Sequence, residues 1–208
     1  MEQINKKTVV KGSIIFTLSY LAVFSIISIT KQDYTFLFSA GLMILLMLVG
    51  LRLDKKFNFP RLIIIGATVL AALHIFASYI HIDGVKLYDL WLIEGHLKFD
   101  NIIHFVASFV AIGFIYSLIS PYLNEKIKHK KLLLASILIL AAMGAGTINE
   151  IVELNAVLFL GMQNTIGDYL NNAFDLVFNF FGAFAACLLV LYYKNKKQQK
   201  PLKISNDL

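Results

Sequence analysis

The chain has 208 residues, 58% of them hydrophobic and only 15% charged, with a mean hydropathy of +0.72. A water-soluble domain carries charge on roughly a quarter of its residues, so the composition excludes one. The net charge of +6 would suit nucleic acid, but the basic residues sit at the ends of apolar runs and argue against that partner.

Runs of about 20 apolar residues are long enough to cross a bilayer as helix. They occupy roughly 10–30, 35–53, 60–80, 101–120, 132–154 and 169–193. Short alternating segments that would build a membrane barrel are absent from the sequence. The expected fold is all-α, a polytopic membrane protein with six transmembrane helices. Residues 1–193 form one six-helix domain: 1–58 is a scaffold hairpin and 59–193 the core that carries every intramembrane ionisable group. Residues 194–208 form a basic cytoplasmic tail containing Pro201.

The first run is too long for a signal-peptide core and no small-residue cleavage site follows it, so it is expected to be a retained span. With six spans, only Lys31, Lys86 and Lys98 of the 19 lysines and arginines fall on one side. That bias places both termini in the cytoplasm, and the basic side is expected to meet anionic lipid heads. Cys187, the single cysteine, reads as packing within the last span. Two outer connections exceed a turn. His81–Phe99 suits the interface, with Tyr88 and Trp91 at headgroup level, and Asn155–Gly167 is apolar enough to cover a site or dip back into the bilayer.

Ten polar residues gather toward that outer side. His74 lies about two turns before the end of the third span, on a face with Ser78 and His81. The fourth span opens with Asp100, Asn101 and His104. Asp100 and His104 are four apart and share a face, with Ser108 one turn deeper, and the carboxylate lies where the helix dipole favours an anion. Two readings stand side by side: Asp100 caps the helix while His104 bonds within the bundle, or the two form an oriented acid–histidine pair that binds metal or moves protons.

The fifth span ends with Glu150 and Glu153, three apart, which repel unless a cation, proton or base lies between them. Gly144 and Gly146, deeper in that span, permit close helix approach. The sixth carries Asp168, Asn172, Asp175, Asn179 and Gly182 as one stripe. At 1.5 Å per residue Asp175 is roughly 10 Å deeper than Asp168, and Asn179 roughly 16 Å. An interhelical hydrogen-bond seam and a ligand site both fit this stripe. Charged groups at mid-bilayer depth cost roughly 2.5–3.5 kcal/mol each on insertion scales, so each needs a partner.

Phe99-Asp100-x-x-x-His104-Phe105, Glu150-x-x-Glu153, Leu160-Gly161-x-Gln163, Gly167-Asp168, Asp175-Leu176 and Gly182-Ala183 together resemble the YjdF-like family of bacterial inner-membrane proteins. More distantly the pattern is similar to VanZ-type proteins, associated with glycopeptide resistance at the envelope. The resemblance covers about residues 70–190. It departs at Ile75-Phe76-Ala77-Ser78, where the family has a glycine-rich turn, at the inserted Asn164-Thr165-Ile166, and at Asn171, which stands where the family has a second aspartate. It implies a multi-pass location in the bacterial cytoplasmic membrane and singles out Asp100, His104, Glu150, Glu153, Asp168 and Asp175.

The expected function is to bind or act on a lipid or lipid-linked envelope component in an outward-facing polar pocket. As an enzyme it would use His104, Glu150, Glu153 and Asp175 as acids and bases. Alternatively these groups would hold a divalent metal as cofactor, with His74, His104, Glu150, Glu153, Asp168 and Asp175 as candidate ligands. As a non-catalytic binder it would hold an amphiphile through His74, Asp100, Asn101, Asp168, Asn172 and Asn179. A proton-coupled carrier suits the intramembrane acids but lacks visible repeat symmetry. The fourth alternative is a cluster that only binds the helices together.

Overall fold

The computed structural model describes residues 5–30, 32, 35–160 and 169–198. Among them the chain forms seven helices and two short hairpins: α1 Lys6–Thr30, α2 Thr35–Phe57, α3 Arg61–Tyr79, β1 His81–Ile82, β2 Val85–Lys86, β3 Trp91–Ile93, β4 Leu97–Lys98, α4 Phe99–Ile119, α5 Glu125–His129, α6 Lys131–Leu160 and α7 Tyr169–Gln198. Five helices among the described residues are long and apolar enough to cross a membrane: Lys6–Thr30, Arg61–Tyr79, Phe99–Ile119, Lys131–Asn155 of α6 and Leu170–Tyr192 of α7. Large apolar side chains lie fully open on them, among them Leu62 at 79%, Leu132 at 83% and Leu140 at 71% exposure. In water such a surface drives aggregation; in a bilayer it is the face that meets acyl chains.

The core of the bundle is α4, α6 and α7. Ile112 of α4 packs with Leu134, Leu138 and Ala142 of α6 and with Ala183, Ala186 and Cys187 of α7. Apolar burial gives little drive between helices in lipid, so close packing and polar contacts carry association. Gly182 supplies the closest approach: a Cβ there would overlap the Phe105 carbonyl of α4. A second cluster joins Tyr20 and Leu21 of α1, Ala40 of α2, and Ala72 and Ile75 of α3. The two groups meet along α3 and α4, where a Cβ on Gly113 would lie 3.0 Å from the Ile63 side chain. Near the N-terminus, Lys6 Nζ donates to Asp54 Oδ1 and Asn58 Oδ1, both at 2.7 Å, tying the start of α1 to the end of α2. Asp54 Oδ1 also accepts from the Phe59 N–H at 2.8 Å, closing the turn into α3.

Several details differ from the sequence expectation. The α3–α4 connection contains strands: β1 pairs with β2 and β3 with β4, both antiparallel. Gly84 at φ +83 and Gly95 at φ +68 make the tight turns, in a left-handed region that glycine enters freely. His81 therefore lies exposed on β1 and does not continue the α3 face. Helix α6 runs through Leu160, so residues 155–160 are helix, and the rest of the expected Asn155–Gly167 connection lies outside the described residues. Helix α7 likewise continues through Gln198. At 30 residues each, α6 and α7 measure about 45 Å, longer than a bilayer core.

Candidate functional site

The cluster begins where β4 turns into α4. The Lys98 N–H donates to Asn101 Oδ1 at 2.9 Å, so Asn101, three residues into the turn, satisfies the helix start. Asp100 does not cap the helix. Its carboxylate turns into the bundle, 4% exposed. Asn101 Nδ2 meanwhile donates to Asp175 Oδ1 at 3.0 Å, and thereby links α4 to α7.

Asn171, one turn before Asp175, organises both carboxylates. Its Nδ2 donates to Asp100 Oδ2 at 3.2 Å and to Asp175 Oδ2 at 2.9 Å, while its Oδ1 accepts from Lys98 Nζ at 3.0 Å. With the Oδ2 atoms held, the Oδ1 atoms face His104: its Nε2 lies 3.3 Å from Asp100 Oδ1 and 3.8 Å from Asp175 Oδ1. On the other side of the ring, Nδ1 is 3.9 Å from Glu150 Oε1 on α6. Asp100, His104 and Asp175 thus present one ligand atom each, all within 4.8 Å of one another.

One turn deeper, Ser108 donates to Asn179 Oδ1 at 2.8 Å, with both residues buried. Gly146 of α6 makes room for that amide, because a Cβ would lie 2.6 Å from Asn179 Nδ2. Gly144 has nothing within 4 Å of such a Cβ, so only Gly146 of the two serves a close contact. Asn179 Nδ2 is buried and makes no hydrogen bond among the described residues.

His74 packs edge-on against Tyr88, with ring centroids 5.6 Å apart. Tyr88 turns into the protein. A turn of 3-10 helix, Leu87–Asp89, folds it back over α3 and α4, where it faces Asp100. Burial, then the charges of Asp100 and Glu153, hold its phenol well above its ordinary range. Trp91 stays outside, with Lys98 Nζ 5.0 Å from its ring centroid.

The structure therefore brings together Asp100, Asn101, His104, Asp175 and Glu150, with Asn179 one turn below and His74 beside Tyr88. Glu153 accepts a 2.8 Å hydrogen bond from Asn149 on its own helix. Asn172 makes no hydrogen bond to the cluster among the described residues, and Asp168 lies outside them. Sequence reasoning missed Asn171 and Tyr88 as site residues. Asn171 carried a signal, since it lies four before Asp175 and so on the same face.

A cavity of about 570 Å³ opens from this cluster between the α1–α2 hairpin and α3, α4 and α6. His74, Tyr88, His104, Ser108, Asn149 and Asn179 are its polar lining toward the cluster, Ser13, Thr17, Asp54 and Thr68 add polar groups elsewhere, and Ile14, Met47, Ile64 and Phe114 belong to its apolar walls. Its size is that of small-molecule sites, roughly 300–1,000 Å³, and so is its mostly apolar wall with a few convergent polar groups.

These features define an integral α-helical membrane protein with a buried polar centre. Residues 12–196 match the family described as predicted membrane protein, DUF2238, and the chain belongs to that family. No curated protein and no solved structure matches it.

Proposed function

We propose that this protein binds an amphiphile, a lipid or lipid-linked envelope component, with its polar part against His104, Ser108 and Asn179 and its apolar part along the cavity walls. The observation that carries the reading is the joining of an apolar cavity to buried polar groups with unmet hydrogen-bonding capacity. Asn179 is among the residues lining the cavity, and its buried Nδ2, beside Gly146, has no acceptor among the described residues. A donor left unmet in hydrocarbon costs several kcal/mol, and a headgroup oxygen meets that need.

The topology that goes with this function has six spans, α2 included, since its 23 residues reach about 34 Å. Both termini lie in the cytoplasm, in keeping with the basic bias of the helix ends, and the cluster faces the opposite side of a bacterial cytoplasmic membrane. The YjdF-like and more distant VanZ-type resemblance of residues 70–190 supports an envelope role.

Native mass spectrometry of the full chain, purified in mild detergent, tests the reading. The expected result is a co-purified adduct of lipid mass that is lost in Ala107→Trp, which fills the cavity beside Ser108. Wild-type protein free of any adduct other than detergent overturns it, as does an adduct that persists unchanged in a folded Ala107→Trp protein.

A further inference from the structure

We propose that Asp100 Oδ1, His104 Nε2 and Asp175 Oδ1 bind a first-row divalent cation, zinc or manganese, with Glu150 positioning His104 from behind. This site uses the same cluster as the amphiphile pocket but does not depend on an amphiphile being bound.

The geometry is the first support. Around a metal with bonds of about 2.0–2.2 Å, neighbouring ligand atoms lie roughly 3–3.6 Å apart. His104 Nε2 is 3.3 Å from Asp100 Oδ1 and 3.8 Å from Asp175 Oδ1, so small side-chain rotations complete a facial set. The second support is independent of proximity. Asp100 Oδ1 is buried, makes no hydrogen bond among the described residues, and faces His104 Nε2 across 3.3 Å. Its sister oxygen is held by Asn171, which also holds Asp175 Oδ2. Each carboxylate is thereby held through an oxygen it does not offer to a metal, as outer hydrogen bonds orient ligands in known metal sites; Asp175 Oδ1 also accepts from Asn101 and keeps a second lone pair for an ion.

Glu150 supplies the third. Its Oε1 lies 3.9 Å from His104 Nδ1, and neither of its oxygens has a hydrogen-bond partner among the described residues. A carboxylate behind a metal-bound imidazole fixes which ring nitrogen carries the proton and raises ligand basicity. Charge points the same way. Three carboxylates face one imidazole, and the neighbouring Lys98 Nζ is engaged with Asn171. Buried like charges of this density call for a cation or a proton among them, and a divalent ion supplies the charge at one point. Two carboxylate oxygens and one imidazole nitrogen suit zinc, manganese or ferrous iron; the absence of thiolate and thioether disfavours cuprous copper.

The test uses the full chain in nanodiscs of phosphatidylethanolamine and phosphatidylglycerol, stripped with chelator and titrated with zinc or manganese by calorimetry and thermal unfolding. Saturable binding of one ion per chain with a rise in Tm is expected. Asp175→Asn and His104→Gln abolish both, Glu150→Gln weakens affinity by about 10–100-fold, and Glu125→Gln on exposed α5 changes neither. Should the first two variants not fold, Glu150→Gln carries the comparison. Wild-type protein that binds neither ion, or a folded variant of the cluster that binds as wild type does, overturns the site and leaves an imidazolium–carboxylate ion pair. A lipid adduct retained in protein that binds no metal removes this inference alone; metal binding without any adduct removes the amphiphile reading alone.

Discussion

Gly182→Ala is the sharpest probe of how the site is assembled. A Cβ at this position would overlap the Phe105 carbonyl and lie 3.0 Å from the Phe105 Cα, all of it backbone that no rotamer change moves. Helices α4 and α7 must therefore part by several tenths of an ångström or more. The same interface carries Asn101–Asp175 at 3.0 Å and Ser108–Asn179 at 2.8 Å. Overpacking costs about 1–3 kcal/mol, and two weakened interhelical hydrogen bonds add about 0.6 kcal/mol each. The sum is roughly 2–4 kcal/mol. Reversible denaturant unfolding in bicelles measures it, with Gly144→Ala as the control. Nothing lies within 4 Å of a Cβ at 144, so that variant is expected to be neutral or to gain roughly 0.5–1 kcal/mol. A Gly182→Ala protein within about 0.5 kcal/mol of wild type, the range of inconsequential substitutions, refutes the close α4–α7 contact.

Asn171→Ala takes from both carboxylates a shared donor in a buried setting and is expected to cost about 1–3 kcal/mol, whereas Asn172→Ala stays within about 0.5 kcal/mol; equal effects in unfolding titrations would count against Asn171 as the organising amide. Asp54→Ala loses its contact to Lys6 and leaves the Phe59 N–H without its acceptor, so it destabilises more than Lys6→Ala, which loses a part-exposed ion pair worth at most about 1 kcal/mol and an exposed hydrogen bond to Asn58 that water replaces. The reverse order in thermal unfolding contradicts the turn described. Tyr88 has a phenol raised in the folded state by burial and neighbouring carboxylates. Its neutral form thus contributes stability that is fully present below the ordinary phenol range near pH 10 and is lost as pH rises through the higher folded value. Tyr88→Phe is expected to lose less stability than wild type between neutral and strongly alkaline pH, and identical profiles would place Tyr88 away from Asp100.

Much of the helical framework was legible because a bilayer leaves few solutions: long apolar runs become helices, and Arg61–Tyr79 and Phe99–Ile119 fall within two residues of their expected limits. The hairpins of 81–98 were not, since the strands that flank their turns, at Asp83-Gly84 and near Gly95, have only two or three residues, below the length at which alternation shows. In the site, the four-residue spacing of Asp100 and His104 and the depth of Asp175 pointed to one locus. Helix phase separates Asn171 from Asn172 by about 100°, and only the α4–α7 docking, set by Gly182 against Phe105, decides which amide turns inward. Capping was likewise ambiguous: Asp100 and Asn101 are both competent to satisfy a helix start, and Asn101 does so through the Lys98 N–H. The part Tyr88 plays in the site was not legible, because aromatic residues near a span end are read as interface anchors and only the 3-10 turn over α3 and α4 brings this ring against His74.

The most direct measurement is an experimental density map of the full chain in lipid nanodiscs, at a resolution that shows side chains. An amphiphile in the cavity between the α1–α2 hairpin and α4 gives elongated density there, ending within hydrogen-bond distance of Asn179 Nδ2. A cavity closed by its own side chains, with Asn179 bonded to a neighbouring helix, would contradict it.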